Sequence, residues 1–114
     1  MIEGNVVKAY IMQSDGKYKP RPVVLIKKLP YFNDWLVCGI SSKIYTAHNG
    51  FDIVITKTHS DFQKTGLEYD LVIRTGWLYD FPESKVEVLL GKISATTLET
   101  LQKNLANYIL QKHK

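Results

Sequence analysis

The sequence predicts a mainly β fold with one C-terminal α-helix, in which an antiparallel sheet curls on itself. Two observations indicate this fold. Up to about Ser94, runs rich in β-branched and aromatic residues alternate with turn residues, which is the pattern of strands. After Ser94, leucine and isoleucine recur at helical spacing. The 114 residues are expected to form a single domain, with a barrel over about residues 4–93 and a helix over about 95–112.

Six strands are predicted in order along the chain: Asn5–Gln13, a second beginning at Arg21, Trp35–Ser41, Phe51–Thr56, Asp70–Phe81 and Val86–Ile93. SDGK after the first strand suits a hairpin turn, because Asp and Gly tolerate positive φ. Pro82 marks the end of the fifth strand. The second strand contains VVLI, apolar at four consecutive positions, and we expect it to be covered on both faces.

The C-terminal helix is predicted from SATTLETLQKNLANYILQKHK. Ser94 is the expected N-cap. The apolar side chains that recur at helical spacing are Leu98, Leu101, Leu105 and Ile109. The cations among residues 112–114 would lie in the last turn, where they complement the negative end of the helix dipole. Contact with nucleic acid is the alternative role for these cations.

Composition narrows the class of protein. No run approaches the roughly 18 apolar residues of a membrane helix, and MIEGNVVKAY lacks the features of a signal peptide, so a cytoplasmic location is expected. Cys38 is the only cysteine, which excludes an internal disulfide and thiolate-rich metal sites. The net charge of +4 at pH 7 favours an anionic partner, either nucleic acid or an acidic protein.

An arginine stands between two prolines in KPRPVVLI, residues 19–26. Pro20 and Pro22 fix their own φ and push Lys19 and Arg21 toward extended conformations. Arg21 therefore loses backbone freedom before any ligand arrives, and we expect its side chain to be positioned rather than free. An ion pair with a carboxylate at the end of the strand is the alternative role.

The order of these segments resembles the MazF and PemK toxins of toxin–antitoxin systems. The resemblance is carried by Gly4 with VV, then RPVVLI, a strand ending in ISS, GL at Gly66 and Leu67, and GKIS before the helix. It spans nearly the whole chain. It implies an SH3-like small barrel of the CcdB/MazF/PemK type, in agreement with the curled antiparallel sheet expected from the strands.

The resemblance also implies a function. MazF-like toxins inhibit growth as endoribonucleases that need neither metal nor cofactor. In their reaction the 2′-hydroxyl of single-stranded RNA attacks the adjacent phosphate and leaves a cyclic phosphate. The protein's task would be to orient the RNA, neutralise charge on the phosphoryl oxygens and move protons. A homodimer is implied too, with a cognate acidic antitoxin covering the RNA groove.

Three catalytic residues follow from the resemblance: Arg21, Ser41 and Arg74. The planar donors of Arg21 would pair with two phosphate oxygens, and the Ser41 hydroxyl would donate to a phosphoryl oxygen. Ser41 and Ser42 are equally suited to satisfy backbone groups at the end of a strand. Gly76 stands where relatives carry an aspartate, which leaves the acid–base pair incomplete.

Five further residues are predicted to bind the substrate: Lys19, Ser42, Lys43, His48 and Trp77. Lys43 and His48 lie in a loop that would follow the RNA backbone. His48 or His59 would replace the missing acid, since histidine titrates near neutral pH. Aromatic residues near the strand ends suit base stacking, although a core or interface role is more common for them: Trp35, Trp77, Tyr79 and Phe81.

Two other functions stay open at this point. A CcdB-like toxin would bind gyrase without chemistry that depends on Arg21. A catalytically degenerate relative would bind RNA or an antitoxin without cutting RNA, and Gly76 favours this alternative.

Overall fold

One antiparallel sheet of six strands curls into a half-barrel in the computed structural model, which describes residues 1–111. The strands run in the spatial order β4-β5-β3-β2-β1-β6, and helix α1 follows the last of them. This architecture confirms the predicted fold class. The bounds are β1 (Asn5–Met12), β2 (Tyr18–Lys28), β3 (Asp34–Ser41), β4 (Ile53–Ile55), β5 (Leu71–Pro82), β6 (Val86–Lys92) and α1 (Ala95–Leu110).

The apolar run in β2 is covered on both faces, as predicted. Val24 and Ile26 belong to a core between the sheet and α1. Val23 and Leu25 point the other way, into a second core enclosed by the curl of the sheet. Successive side chains of a strand alternate between its faces, so four consecutive apolar residues serve two cores and hold the sheet between them.

The predicted start of β2 at Arg21 is wrong, because the strand begins at Tyr18. Pro20 and Pro22 pair with residues of β1, whereas the ladder between β2 and β3 begins only at Val23. Proline lacks an N–H but is tolerated where a strand has only one neighbour. The arginine between the prolines therefore lies inside a strand, at the end of the sheet.

Helix α1 packs on the sheet through Leu101 and Leu105, which are buried. Ser94 caps the helix as predicted, because its side chain accepts a hydrogen bond from the N–H of Thr97. Ile109 departs from the predicted apolar face, since 68% of it is exposed beyond the edge of the core. The predicted role of residues 112–114 lies outside the described residues. No helix within residues 1–111 is long and apolar enough to cross a membrane.

Two glycines allow the loop before β5 to lie against β6. A Cβ added to Gly66 would collide with the carbonyl oxygen of Leu90, and one added to Gly91 would collide with the backbone of Lys64 and Thr65. Gly66 also has φ +74°, which favours glycine. The GL and GK pairs of the sequence thus fix one end of the loop that leads into β5.

A buried carboxylate joins the start of α1 to the loop. Asp61 Oδ2 accepts hydrogen bonds from the N–H of Ser94 at 2.9 Å and from its hydroxyl at 3.0 Å. Burial by itself raises the pKa of Asp61, but the hydrogen bonds from Ser94 and Thr97 and the charge of His59 outweigh it and lower the pKa below its ordinary value. The ionised form of Asp61 therefore stabilises the fold.

Asp61→Asn should lower the free energy of unfolding at pH 7 by about 2 kcal/mol, since it weakens hydrogen bonds to a charged group. Because the folded pKa lies below the unfolded one, this stabilisation is present above the unfolded pKa and is lost as the pH falls through the folded pKa. Urea unfolding from pH 7 down to pH 2 should therefore show the two proteins converging. Asp80→Asn, at an exposed carboxylate, is the matched control. A stability difference that persists at pH 2 would contradict this role.

Candidate active site

A cleft of about 390 Å³ lies at the end of the sheet where β2 begins and β3 ends. We call it the cleft throughout. Its polar lining is basic or hydroxylic, apart from one amide: Gln13, Arg21, Ser41, Ser42, Lys43, Tyr69 and Tyr79. Trp77 forms part of its wall. Two of the three predicted catalytic residues, and three of the five predicted substrate-binding residues, therefore meet in one place.

The pairing of β2 with β3 explains why Arg21 and Ser41 meet. Val23 lies opposite Gly39 and Val24 opposite Cys38, so the same register extended by two residues places Arg21 opposite Ser41. Beyond Ser41 strand β3 has ended, and Lys43 lies in the loop that follows it. Lys19 itself does not line the cleft, but it shares a strand face with Arg21 because side chains alternate.

The Arg21 guanidinium is exposed at the cleft. Within residues 1–111 it has no hydrogen bond to another side chain and no ion pair with a carboxylate. The alternative of a structural ion pair thus has no support in the described part of the chain. All five guanidinium N–H donors remain available to an anionic ligand.

Ser41 can both bond the local backbone and donate to a ligand, which are the two roles considered for it. Its Oγ accepts a hydrogen bond from the N–H of Lys43 at 3.1 Å, the local bond expected of a serine at a strand end. A hydroxyl both accepts and donates, so its hydrogen can still be donated into the cleft. The bond to Lys43 orients the oxygen and restricts where that hydrogen can point.

A bulge in β5 shapes the wall of the cleft. Gly39 pairs with Arg74 and Cys38 pairs with Leu78, so one step along β3 corresponds to four along β5, and residues 75–77 bulge out. The displaced Thr75 donates its N–H to Asp52 Oδ1 at 3.0 Å and its hydroxyl to the Phe51 carbonyl at 2.7 Å. Bulges of this kind redirect side chains at functional sites.

Trp77 is the side chain that the bulge redirects. It lies across Gly39, where an added Cβ would come within 3.0 Å of its ring, and it is 44% exposed. The Arg74 guanidinium carbon lies 4.4 Å from the centre of the Trp77 ring. Trp35 and Phe81, by contrast, are buried in the core, as the common role of aromatic residues predicts.

Arg74 does not line the cleft. Its guanidinium donates to Thr46 Oγ1 at 3.0 Å and lies 3.7 Å from Asp52 Oδ2. Asp52, whose side chain is 2% exposed, also accepts the N–H of His48 at 2.9 Å. Arg74 therefore contacts Trp77, which forms part of the cleft wall, without lining the cleft itself.

His48 and Gly76 lie in a different place. Both line a groove of about 1040 Å³ between β5 and the end of α1, and a Cβ on Gly76 would approach the ring of Phe51. His59 accepts the N–H of Asp61 through Nδ1 at 2.9 Å. Neither histidine lines the cleft, so the structure does not bring them to Arg21 and Ser41.

Sequence reasoning missed three residues around the cleft. Gln13 and Tyr69 line it, and Asp52 holds Arg74. Tyr79, which was considered for base stacking, lines the cleft as well. Burial raises the pKa of the Tyr69 phenol, while the nearby charge of Arg21 opposes the rise. Tyr69 follows the GL pair by two residues, and this spacing was the one available signal in the sequence.

Solved structures share this fold. An endoribonuclease from a mycobacterial species, in complex with its cognate antitoxin, matches with a TM-score of 0.71 at 9% identity over 100% of this chain and 99% of that one. The Mycobacterium tuberculosis toxin MazF-mt6 matches with a TM-score of 0.68 at 16% identity, over 96% of this chain and 99% of that one. A chain of the MazE–MazF structure from Deinococcus radiodurans matches with a TM-score of 0.69 at 16% identity, over 98% of each chain.

The fold is thus that of the MazF toxins. A family model of the PemK-like, MazF-like toxins of type II toxin–antitoxin systems matches residues 3–109. The chain belongs to this family, as the order of its motifs predicted. No curated protein sequence matches the chain.

Gly39→Ala should displace Trp77, because the new methyl group would lie about 3.0 Å from the ring. Acrylamide quenching of tryptophan fluorescence should then rise, since the displaced indole loses its support on β3. Trp35 is 3% exposed and contributes a shielded background. In a Trp77→Phe background the same glycine substitution should leave quenching unchanged. If Gly39→Ala leaves quenching unchanged while Trp77 is present, the contact does not position the ring.

Proposed function

We propose that the protein is a metal-independent endoribonuclease toxin that cleaves single-stranded RNA at the cleft and thereby inhibits translation and growth. The guanidinium of Arg21, which has no ion pair within residues 1–111, lies with the Ser41 hydroxyl in the cleft, and this arrangement carries the proposal. Family membership supports it, because the matching family consists of MazF-like toxins and one neighbour of the same fold is an endoribonuclease.

In this reaction the RNA itself supplies the nucleophile, so the protein need not form a covalent bond. The 2′-hydroxyl of the RNA attacks the neighbouring phosphorus, and charge grows on the two phosphoryl oxygens that do not bridge. Arg21 can donate two parallel hydrogen bonds to these oxygens, and Ser41 can donate a third. Both residues lie on paired strands, so their backbones are fixed before charge develops, and fixed donors lower a barrier most at that stage.

Binding of the RNA would extend over the basic and aromatic side chains around Arg21. Lys43 and Ser42 line the cleft, and Lys19 follows on the same strand face. Trp77 offers an exposed ring for base stacking, an interaction that tolerates many sequences. Arg74 would assist by holding that ring rather than by contacting the phosphate.

Arg21→Ala should lower the rate of RNA cleavage by about 10²-fold or more, the usual loss when one preorganised donor is removed. The assay uses a long single-stranded RNA in EDTA, with the new termini mapped, and wild-type cuts should bear cyclic phosphates. Lys27→Ala is the matched control, because it removes a cation from the far end of the same strand with its side chain 64% exposed. Cleavage by Arg21→Ala at the wild-type rate would remove Arg21 from the mechanism, and activity that returns only with Mg²⁺ would indicate other chemistry.

One observation favours a second candidate function, a toxin relative that binds RNA or an antitoxin without cutting. Among the described residues, neither a carboxylate nor a histidine lines the cleft. Intact RNA after incubation with folded wild-type protein, together with RNA binding that Arg21→Ala weakens, would establish this alternative.

We also propose an acidic antitoxin as the partner that neutralises the protein. Relatives of this fold occur in complexes with a cognate antitoxin and with MazE. The cleft lining pairs cations with neutral donors, so carboxylates of an antitoxin would occupy the positions of RNA phosphates. Inhibition would then arise by competition for one surface.

A homodimer is proposed as the active assembly. Three consecutive apolar residues are exposed at the end of α1: Tyr108, Ile109 and Leu110. They continue the groove that also contains Phe51 and Leu78. Contiguous exposed apolar surface of this kind is typical of protein interfaces.

Ile109→Glu should convert the dimer into a monomer, because it would bury a charge without a partner at the interface. Light scattering coupled to size-exclusion chromatography measures the mass in solution. Thr96→Glu, at an exposed position in the first turn of the same helix, is the control and should leave the dimer intact. An unchanged mass for Ile109→Glu would place the interface elsewhere.

A further inference from the structure

The reaction proposed above leaves one proton without a source. When the bond between phosphorus and the 5′-oxygen breaks, that oxygen takes the electron pair and needs a proton to leave readily. Neither a carboxylate nor a histidine in the described part of the chain lines the cleft. The side chains that could supply the proton there are the cations and hydroxyls that do line it.

The serine hydroxyls are weak acids and serve better as hydrogen-bond donors to a phosphoryl oxygen. Lys43 carries an acidic proton but is exposed at the start of a loop, on a flexible stem. Tyrosine is a stronger acid than serine, with an ordinary pKa near 10. Two tyrosines line the cleft, Tyr69 and Tyr79.

Tyr79 is the less suitable of the two. It pairs with Val37 in the ladder between β3 and β5, and it packs against the core enclosed by the sheet. Tyr69 is 38% exposed and lines the same cleft as Arg21. It therefore faces the space in which Arg21 would hold the phosphate.

The segment that carries Tyr69 is fixed at both ends. On one side Gly66 lies against the Leu90 carbonyl, and the N–H of Leu67 donates to Thr65 Oγ1 at 3.2 Å. On the other side Asp70 Oδ1 accepts the N–H of Lys57 at 2.8 Å, immediately before β5 begins. The backbone that carries the phenol therefore loses little freedom when substrate binds.

We propose that Tyr69 is the general acid of the cleft and donates its phenolic proton to the departing 5′-oxygen of the RNA. This role rests on the proposed ribonuclease function. In the step, the 2′-oxygen forms its bond to phosphorus and releases its proton to water. The bond from phosphorus to the 5′-oxygen breaks, its electron pair stays on that oxygen, and the Tyr69 proton adds there. Water then reprotonates the phenolate.

The phenol is protonated at neutral pH even at the ordinary pKa of tyrosine, and burial raises the pKa of Tyr69 further. The charge of Arg21 acts in the other direction and would stabilise the phenolate as it forms. A group that is protonated before the step and stabilised after it suits proton donation.

Tyr69→Phe tests the role, because it removes only the hydroxyl. On ordinary RNA the variant should cleave about 10²-fold more slowly or worse, with its KM close to that of wild type. The second substrate is the same RNA with sulfur in place of the 5′-oxygen at the mapped cleavage site. A thiolate leaves without a proton, so Tyr69→Phe should cleave this substrate at nearly the wild-type rate. Tyr31→Phe, at an exposed residue in the turn between β2 and β3, is the control and should behave as wild type on both.

Each other outcome overturns the proposal. Equal losses on both substrates would mean that Tyr69 only shapes the cleft. No loss on ordinary RNA, with normal cleavage by wild type, would remove Tyr69 from the mechanism while leaving the ribonuclease function in place. Recovery on the sulfur substrate by Lys43→Ala instead of Tyr69→Phe would assign the proton to Lys43. Failure of wild type to cut either RNA would refute the ribonuclease function itself, and the role of Tyr69 with it.

Discussion

The buried carboxylate of Asp52 is the interaction on which the cleft wall depends. It accepts the N–H groups of His48 and Thr75 and lies 3.7 Å from the Arg74 side chain. These contacts join the loop before β4 to the bulge of β5. A buried charge is tolerated only when it is paired and hydrogen-bonded. Strand β5 meets both conditions, because Arg74 pairs with Asp52 and the N–H of Thr75 donates to it. Arg74, held in this way, supports the Trp77 ring.

This arrangement separates the roles of the two arginines that the sequence predicted to be catalytic. Arg21 has no partner within residues 1–111 and is free to bind a ligand. Arg74 compensates Asp52 and donates to Thr46. Removing its charge would leave Asp52 buried with one partner fewer, which is costly. Loss of activity on substitution of Arg74 would therefore report on the cleft wall as much as on chemistry, whereas Arg21 can be changed without disturbing the fold.

Local sequence patterns predicted those parts of the fold that depend on interactions between residues close together in the chain. The double-sided apolar run at residues 23–26 and the Ser94 cap need no knowledge of distant partners. Arg21 and Ser41 were assigned to one site through the family resemblance, and the pairing of β2 with β3 is consistent with that assignment. Asp52 was different: its partner Thr75 lies 23 residues away, and in sequence it was only a polar residue in a predicted strand. His48 lies in the groove beside α1 and not in the cleft, a position that its spacing in the sequence does not reveal.

The charges and donors that would bind RNA in the cleft would also bind other anions. Cations and neutral donors line it in the described part of the chain, and these attract phosphates and carboxylates alike. In the proposed reaction RNA is distinguished by its 2′-hydroxyl, which would lie in line with a phosphorus held at Arg21. An acidic peptide at the same place offers neither that nucleophile nor a leaving group that needs a proton. Binding and cleavage are thus separable in this design: Arg21 and Lys43 would serve both ligands, and only the proton donor would matter to RNA alone.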